Sequence, residues 1–325
     1  MTQKINRIGV LTSGGDAPGM NAVVRAIVRK ATAQGVSVLG IRRGYSGLIG
    51  GDIIELTSRG VDGVLPRGGT MLYTARCEEM LSDTGQEKAV QTCRHMGIEG
   101  LAVIGGDGSF RGALALARRG LATVGVPATI DNDIVCTDYT IGFDTACNTA
   151  VDAIDKLRDT MQSHERCSVV EVMGRDAGHL ALHVGVAVGA TCILLPEKEV
   201  DFHKVVIEPI RMGRLSGRHH HMLIVAEGHG KGAQAVAERV EAETGIEARV
   251  TILGHIQRGG TPSAMDRVLG TQMGCHAAGL LIAGERSRLV IKQDGCVMSC
   301  DMEEGLAQRK CLDQDLFAAA VAVAT

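Results

Sequence analysis

The sequence predicts an α/β protein of two lobes, each a mainly parallel sheet flanked by helices. Three observations predict it. Short aliphatic runs alternate with helical stripes from end to end, Gly-rich turns follow the runs, and 325 residues exceed one ordinary domain and suit two. In order, Ile8-Gly9-Val10-Leu11 reads as a strand ending at Thr12-Ser13-Gly14-Gly15-Asp16. Met20 to Ala33 carries Val24, Ile27, Val28 and Ala31 at helical spacing. Val38-Leu39-Gly40-Ile41 repeats the strand pattern. Leu101–Ile104 is a further strand, followed by a Gly-rich turn and a helix over roughly 109–119. Val169–Val172 and Met222–Ala226 are two more strands of buried type. Neither a tandem repeat nor a low-complexity linker interrupts the alternation.

Composition narrows the classes of function. Apolar residues make up 45% of the chain and are almost all aliphatic, with no Trp, three Tyr and four Phe. Gly, at 43 residues, is about twice its usual share, which suits many tight βα turns and close backbone approach to ligands. A net charge of −3 gives no electrostatic footprint for nucleic acid or an anionic membrane. No apolar run approaches the ~20 residues of a membrane span. Met1-Thr2-Gln3-Lys4 leads straight into a strand-like run, so no signal peptide is expected. The ten Cys are scattered, and Cys136, Cys147 and Cys192 lie in aliphatic stretches. Cys296 and Cys300, the closest pair, lack a second pair at zinc-like spacing. The expectation is a cytoplasmic protein with reduced thiols, neither disulfide-bonded nor zinc-binding.

In open α/β sheets ligands bind beyond the carboxyl ends of the strands. Four such ends carry Gly-rich or polar signatures: 13–16, 105–109, 127–133 and 173–178. In Gly105-Gly106-Asp107-Gly108-Ser109 the glycines let backbone N–H groups approach phosphate oxygens, and a helix N-terminus follows. Asp107 is placed to hold Mg²⁺. The same residues would also make an ordinary tight turn capped by Ser109. Thr129-Ile130-Asp131-Asn132-Asp133 supplies a carboxylate, Asp131, suited to taking a proton from an attacking hydroxyl. Thr129 can hydrogen-bond a sugar phosphate or that carboxylate, although Asp-Asn-Asp by itself is also a good turn. Met173-Gly174-Arg175-Asp176-Ala177-Gly178 ends a strand, and Arg175 could clamp a phosphate bidentately. Glu227 follows Leu223–Ala226 and suits sugar hydroxyls, while His255 and Arg258, three apart, can face one anionic group. Together these groups read as a phosphoryl-transfer centre.

Gly14–Asn21, Gly105–Ser109, Thr129–Asp133, Met173–Arg175 and Gly254–Gly260 occur in the order found in ATP-dependent 6-phosphofructokinases, and the chain resembles that family from about residue 5 to about 310. The resemblance implies a Rossmann-like phosphofructokinase fold and the glycolytic phosphorylation of fructose 6-phosphate at its 1-hydroxyl by Mg²⁺-ATP. It implies an ATP lobe of residues 1–141 plus 256–306 and a sugar-phosphate lobe of residues 142–255 plus 307–325. By resemblance, Gly15, Arg76, Cys77, Gly106, Asp107, Gly108 and Ser109 would hold ATP, with Asp107 on the metal. Thr129, Ile130, Asp131, Met173, Gly174, Arg175, Glu227, His255 and Arg258 would bind fructose 6-phosphate, with Asp131, Thr129 and Arg175 catalytic. Arg166 and Arg249 would reach the 6-phosphate of a neighbouring subunit, so a homotetramer is implied.

The family also includes pyrophosphate-dependent enzymes, typically with Asp and Lys where this chain has Gly108 and Ala128. Small residues leave room for an α-phosphate and nucleoside, which favours ATP. A relaxed sugar-phosphate kinase and a non-catalytic regulatory subunit are the other readings. Two departures from the family stand out. Leu81 occupies a position that often holds a second basic residue near the ATP phosphates, so weaker ATP or transition-state binding is expected. At the effector site of bacterial members, which takes ADP or phosphoenolpyruvate, Arg25, Arg29, Arg158, Arg218 and His220 match its basic character. Ser58, Thr191 and Ser216 stand where charges are usual, so altered regulation is expected. Arg25 and Arg29, four apart on one helix face, would equally suit a solvated surface. His219 and His221 are expected to share one face of a strand.

Overall fold

The structure, a computed structural model, describes residues 5–307 and 310–324. The stretch Met1–Lys4, read above for the absence of a leader, lies outside the described residues. Eleven strands are present among them: β1 (Arg7–Thr12), β2 (Ser37–Ile41), β3 (Ile53–Leu56), β4 (Gly100–Gly105), β5 (Ala122–Pro127), β6 (Cys167–Val172), β7 (Cys192–Leu194), β8 (His221–Ala226), β9 (Ala248–Ile252), β10 (Arg288–Gln293) and β11 (Cys296–Asp301). The chain forms two compact units. One comprises Met1–Thr129, Ile134–Thr145 and Arg258–Lys310, and the other Ile130–Asp133, Ala146–Gln257 and Cys311–Thr325.

The first unit is built on a seven-stranded sheet of order β11-β10-β5-β4-β1-β2-β3. Its inner strands pair in parallel, with Leu11 opposite Val103 and Val103 opposite Gly125. β3 and β11 run antiparallel at the two edges. β4 and β5 are buried along their whole length, as expected of strands covered by helices on both faces. Leu11, Leu101, Val103, Phe110, Leu116 and Leu289 form one core cluster. Each such side chain contributes about 1.5–3 kcal/mol by leaving water.

One carboxylate organises the polar part of this unit. Asp266, fully buried in the helix Ala264–Ile282, accepts hydrogen bonds from the Gly142 and Thr145 amides (2.8 Å each) and from the Thr145 hydroxyl. Burial pushes its carboxyl above the usual range, against the lowering by those donors. The Ser263 amide donates in turn to the Thr145 hydroxyl at 2.9 Å.

The second unit is built on the all-parallel sheet β7-β8-β6-β9. Val169, Leu194, Ile210, Leu223, Val225, Val236 and Val240 fill its core. Strand β8 starts at His221, so His219 lies in the loop before it and the two histidines do not share a strand face. Gly213 makes room for the His221 ring: a Cβ there would stand 2.7 Å from its Cε1. Neither ring nitrogen of His221 has a hydrogen-bond partner among the described residues. Burial first, then the nearby Arg218 and His220, push this imidazole down to about 4.

Unfolded, the same ring takes up a proton near pH 6.5. Stability from this group is therefore complete above pH 6.5 and is lost as pH falls toward 4. The loss is about 1–2 kcal/mol, allowing for solvent screening. His221→Leu should flatten the decline between pH 7 and 5 in urea titrations; an unchanged decline would remove His221 as its source. No helix among the described residues is long and apolar enough to cross a membrane.

Candidate active site

In the first unit three strand ends meet. The Ser13 amide after β1 donates to the Ile104 carbonyl of β4 at 2.9 Å, and the Ala128 amide after β5 donates to the Gly105 carbonyl at 2.9 Å. Gly105 must be glycine, because a Cβ there would lie 2.4 Å from the Ser13 carbonyl oxygen and 2.6 Å from the Ser109 hydroxyl. The helix expected over roughly 109–119 runs instead over Asp107–Arg118, with Gly106 in extended conformation ahead of it. Asp107 thus sits in the first helical turn, where the helix dipole favours an anion. Its carboxylate is 44% exposed and accepts from Arg111, one turn on, at 2.8 Å. Arg111 escaped the sequence reading, although the (i, i+4) spacing of Asp107 and Arg111 was a usable signal.

Around Gly108 there is open space, with no atom within 4 Å of where a Cβ would stand. Ser109 is buried, and its carbonyl accepts from the Tyr45 hydroxyl. The Gly14 carbonyl accepts from the Thr74 hydroxyl at 2.6 Å. Arg258 Nη1 donates to the Asp16 carbonyl at 3.2 Å, and a Cβ on Gly15 would fall 2.5 Å from that nitrogen. Arg258, expected to bind fructose 6-phosphate from the 256–306 stretch, lies against the Gly15–Asp16 loop of the first unit. Arg76 is exposed, and Cys77 is half-buried just before the short turn Glu78–Leu81. Thr129 is buried, and its carbonyl accepts from the Thr140 hydroxyl at 2.7 Å. The Ile141 amide donates to the Pro127 carbonyl at 3.0 Å, so residues 127–129 are stitched to 140–141.

In the second unit Ile130, Asp131 and Asn132 are buried, and Asn132 adopts φ 51°, a left-handed conformation that Asn tolerates better than most residues. After β6 comes the segment Met173–Gly178. Gly174 (φ 144°) could not carry a Cβ, which would stand 2.4 Å from the Ala177 carbonyl oxygen. Arg175 is also left-handed at φ 55°, a costly backbone for a residue with a side chain. Its amide donates to Glu227 Oε1, so Glu227, just after β8, holds the strained turn. The Met173 amide donates to the fully buried Gln257, whose side-chain amide donates to the Gly254 carbonyl. His255 is exposed one turn away.

Arg166 and Arg249 both grip Glu247, Arg166 through Nε at 2.6 Å. Desolvation raises the Glu247 carboxyl, but Arg166 and Arg249 together outweigh it, leaving it below its ordinary range. Glu247 was not foreseen, since nothing in its local sequence marks it. Among the residues matched to an effector site, Arg158 and Arg218 both act on His220, whose imidazole is lowered first by burial and then by these two charges. Arg158 also donates to the Val188 carbonyl. In the first unit Arg29 pairs with Asp62, and Arg25 is half-buried on the same helix.

Comparison with known proteins identifies the family. The Phosphofructokinase family pattern matches residues 7–281. The chain belongs to the phosphofructokinase family. It is 54% identical, over 95% of its length and 97% of theirs, to the ATP-dependent 6-phosphofructokinase of Clostridium botulinum strain Hall. The corresponding protein of Clostridium acetobutylicum is 52% identical over the same shares. A solved phosphofructokinase from Saccharomyces cerevisiae superposes with a TM-score of 0.88 at 35% identity, covering 98% of this chain and 46% of that one. The phosphofructokinase strand ends of this chain therefore have the α/β framework and parallel sheets that the sequence predicts.

Proposed function

We propose that this phosphofructokinase transfers the terminal phosphoryl group of ATP to the 1-hydroxyl of fructose 6-phosphate, giving fructose 1,6-bisphosphate and ADP. The observation that carries the donor assignment is the open space at Gly108, together with the small, buried side chain at Ala128. A nucleoside triphosphate needs that room, and a bulkier pair of side chains would fill it. The ATP-dependent names of the close relatives support the same reading.

On this reading Gly15, Arg76, Cys77 and Gly106–Ser109 hold the nucleotide, with N–H groups at the start of the helix Asp107–Arg118 turned to its phosphates. A single, partly exposed carboxylate fits Mg²⁺, which keeps several waters and leans on substrate phosphates rather than on a protein cage. Asp107 would hold it, and the ion supplies charge neutralisation during transfer. Asp131 accepts the proton of the sugar 1-hydroxyl, and Thr129 orients it. Met173, Gly174, Glu227 and His255 position the sugar, and Arg175 meets the developing phosphoryl charge. Arg258, standing against Gly15 and Asp16, meets the sugar phosphate as well. Arg166 and Arg249 serve the 6-phosphate of a neighbouring copy in a homotetramer, and Glu247 keeps their guanidinium groups in place. Arg158, Arg218 and His220 form a basic patch suited to an anionic effector such as ADP or phosphoenolpyruvate.

The deciding experiment is fructose 1,6-bisphosphate formation from fructose 6-phosphate and Mg²⁺, with ATP and pyrophosphate compared side by side. Turnover with ATP is expected. Turnover with pyrophosphate alone would overturn the donor assignment, and none with either would point to a regulatory chain. Leu81 is 86% exposed at the end of its turn. Leu81→Lys should lower the Michaelis constant for ATP by roughly fivefold, about 1 kcal/mol. An unchanged constant and unchanged turnover would show that the lost charge is immaterial.

A further inference from the structure

Cys136 and Cys300 lie far apart in sequence, yet in the first unit their sulfurs flank the same glycine, Gly305. Both are half-buried. The place where they meet is kept open by Gly305: a Cβ there would stand 3.1 Å from each sulfur and 3.3 Å from Leu289 Cδ2. The backbones behind the two thiols are pinned. Cys300 lies on β11 opposite Leu289 of β10. On the other side the Thr137 hydroxyl accepts from the Lys292 amide at 2.9 Å, and the Asp138 amide donates to the Lys292 carbonyl at 2.8 Å. Lys310 Nζ adds donors to the Thr137 and Asp138 carbonyls. The two sulfurs thus face one point from pinned backbones, the juxtaposition from which a disulfide can form.

We propose that Cys136 and Cys300 form a dithiol modification site that peroxides convert to a disulfide. The roles of the two sulfurs differ. The neighbouring Cys136 and then the charge of Arg288 hold the Cys300 thiol below its ordinary range, whereas the neighbouring Cys300 and then burial raise Cys136. Cys300 is therefore the attacking thiolate and Cys136 the resolving thiol. The Cys300 sulfur attacks one oxygen of hydrogen peroxide, forming an S–O bond, breaking the O–O bond and releasing hydroxide, which leaves as water. Cys136 gives up its proton and attacks the Cys300 sulfur, forming the S–S bond and expelling the second oxygen as water. Two thiols lose two electrons and one peroxide becomes two waters. Two buried cysteines of the second unit, Cys167 and Cys192, provide the contrast: they stand on strands separated by β8, and burial pushes both up to about 12.

The test is brief exposure of the full chain to hydrogen peroxide, alkylation of the remaining thiols under denaturing conditions, and peptide mass mapping. One crosslinked peptide joining Cys136 to Cys300 is expected, reversed by dithiothreitol, with Cys167 and Cys192 still alkylated. Cys136→Ser should stop the reaction at a Cys300 sulfenic acid, trapped by dimedone, and that adduct should be nearly absent from the unaltered protein. Gly305→Ala, which sets a methyl group against both sulfurs, should slow crosslinking several-fold. Because the unaltered protein itself is mapped, misfolding of a variant cannot mask the result. A Cys300 sulfinic acid without crosslink, or a disulfide joining other cysteines in preference, would overturn the proposal.

Discussion

Asp131→Asn should cut turnover by ~10²-fold or more while leaving the Michaelis constant for fructose 6-phosphate within a few-fold of its starting value. The substitution exchanges one carboxylate oxygen for an amide nitrogen of nearly the same size. Asp131 is buried beside Asn132, which holds a left-handed backbone. An isosteric change keeps that turn and its packing but removes the proton acceptor. A hydroxyl attacking phosphorus must shed its proton, and a neutral amide cannot receive it at any useful pH. Binding of the sugar depends instead on Arg175, Glu227 and their neighbours, so it should survive. Steady-state kinetics with both substrates varied separate the two effects. Near-normal turnover would take Asp131 out of the proton-accepting role, and a large rise in the Michaelis constant alone would make it a binding group.

Asp266→Ala should lower folding stability by about 3–5 kcal/mol, measured by urea or thermal unfolding. The carboxylate accepts from two backbone amides and one hydroxyl in a fully buried place. Alanine would leave the Gly142 and Thr145 amides in a dry interior without an acceptor, and each such orphan costs about 1–3 kcal/mol. Asp266→Asn should fall between the two, because its single carbonyl oxygen can satisfy one side while its NH₂ faces another donor. The damage should reach Thr129, whose carbonyl accepts from Thr140 in the same stretch that Asp266 anchors. A loss below about 1 kcal/mol in the alanine variant would mean that water replaces the carboxylate.

The elements that local rules govern were legible. β1, β4, β6 and β8 are short, mainly aliphatic runs, and the structure extends each reading by a residue or two at its ends. The Gly-rich strand ends were legible for the same reason: a backbone that must approach another closely, as at Gly105 and Gly174, leaves only glycine. Two local readings failed where an end is set by tertiary packing. The helix begins at Asp107 because extended Gly106 leads directly into it, and His219 misses β8 because the strand begins where His221 packs over Gly213.

The sequence by itself determined the α/β class, the family and the residue types gathered at the strand ends. Backbone permissiveness, period and side-chain chemistry act within a few residues, so they can be read along the chain. Only the tertiary structure decided that Arg258 lies on the Gly15–Asp16 loop, that Glu247 holds Arg166 and Arg249, that Asp266 anchors Gly142 and Thr145, and that Cys136 meets Cys300. Most of these partners are separated by tens to hundreds of residues, and buried donors and charges take whichever acceptor the folded backbone brings within about 3 Å.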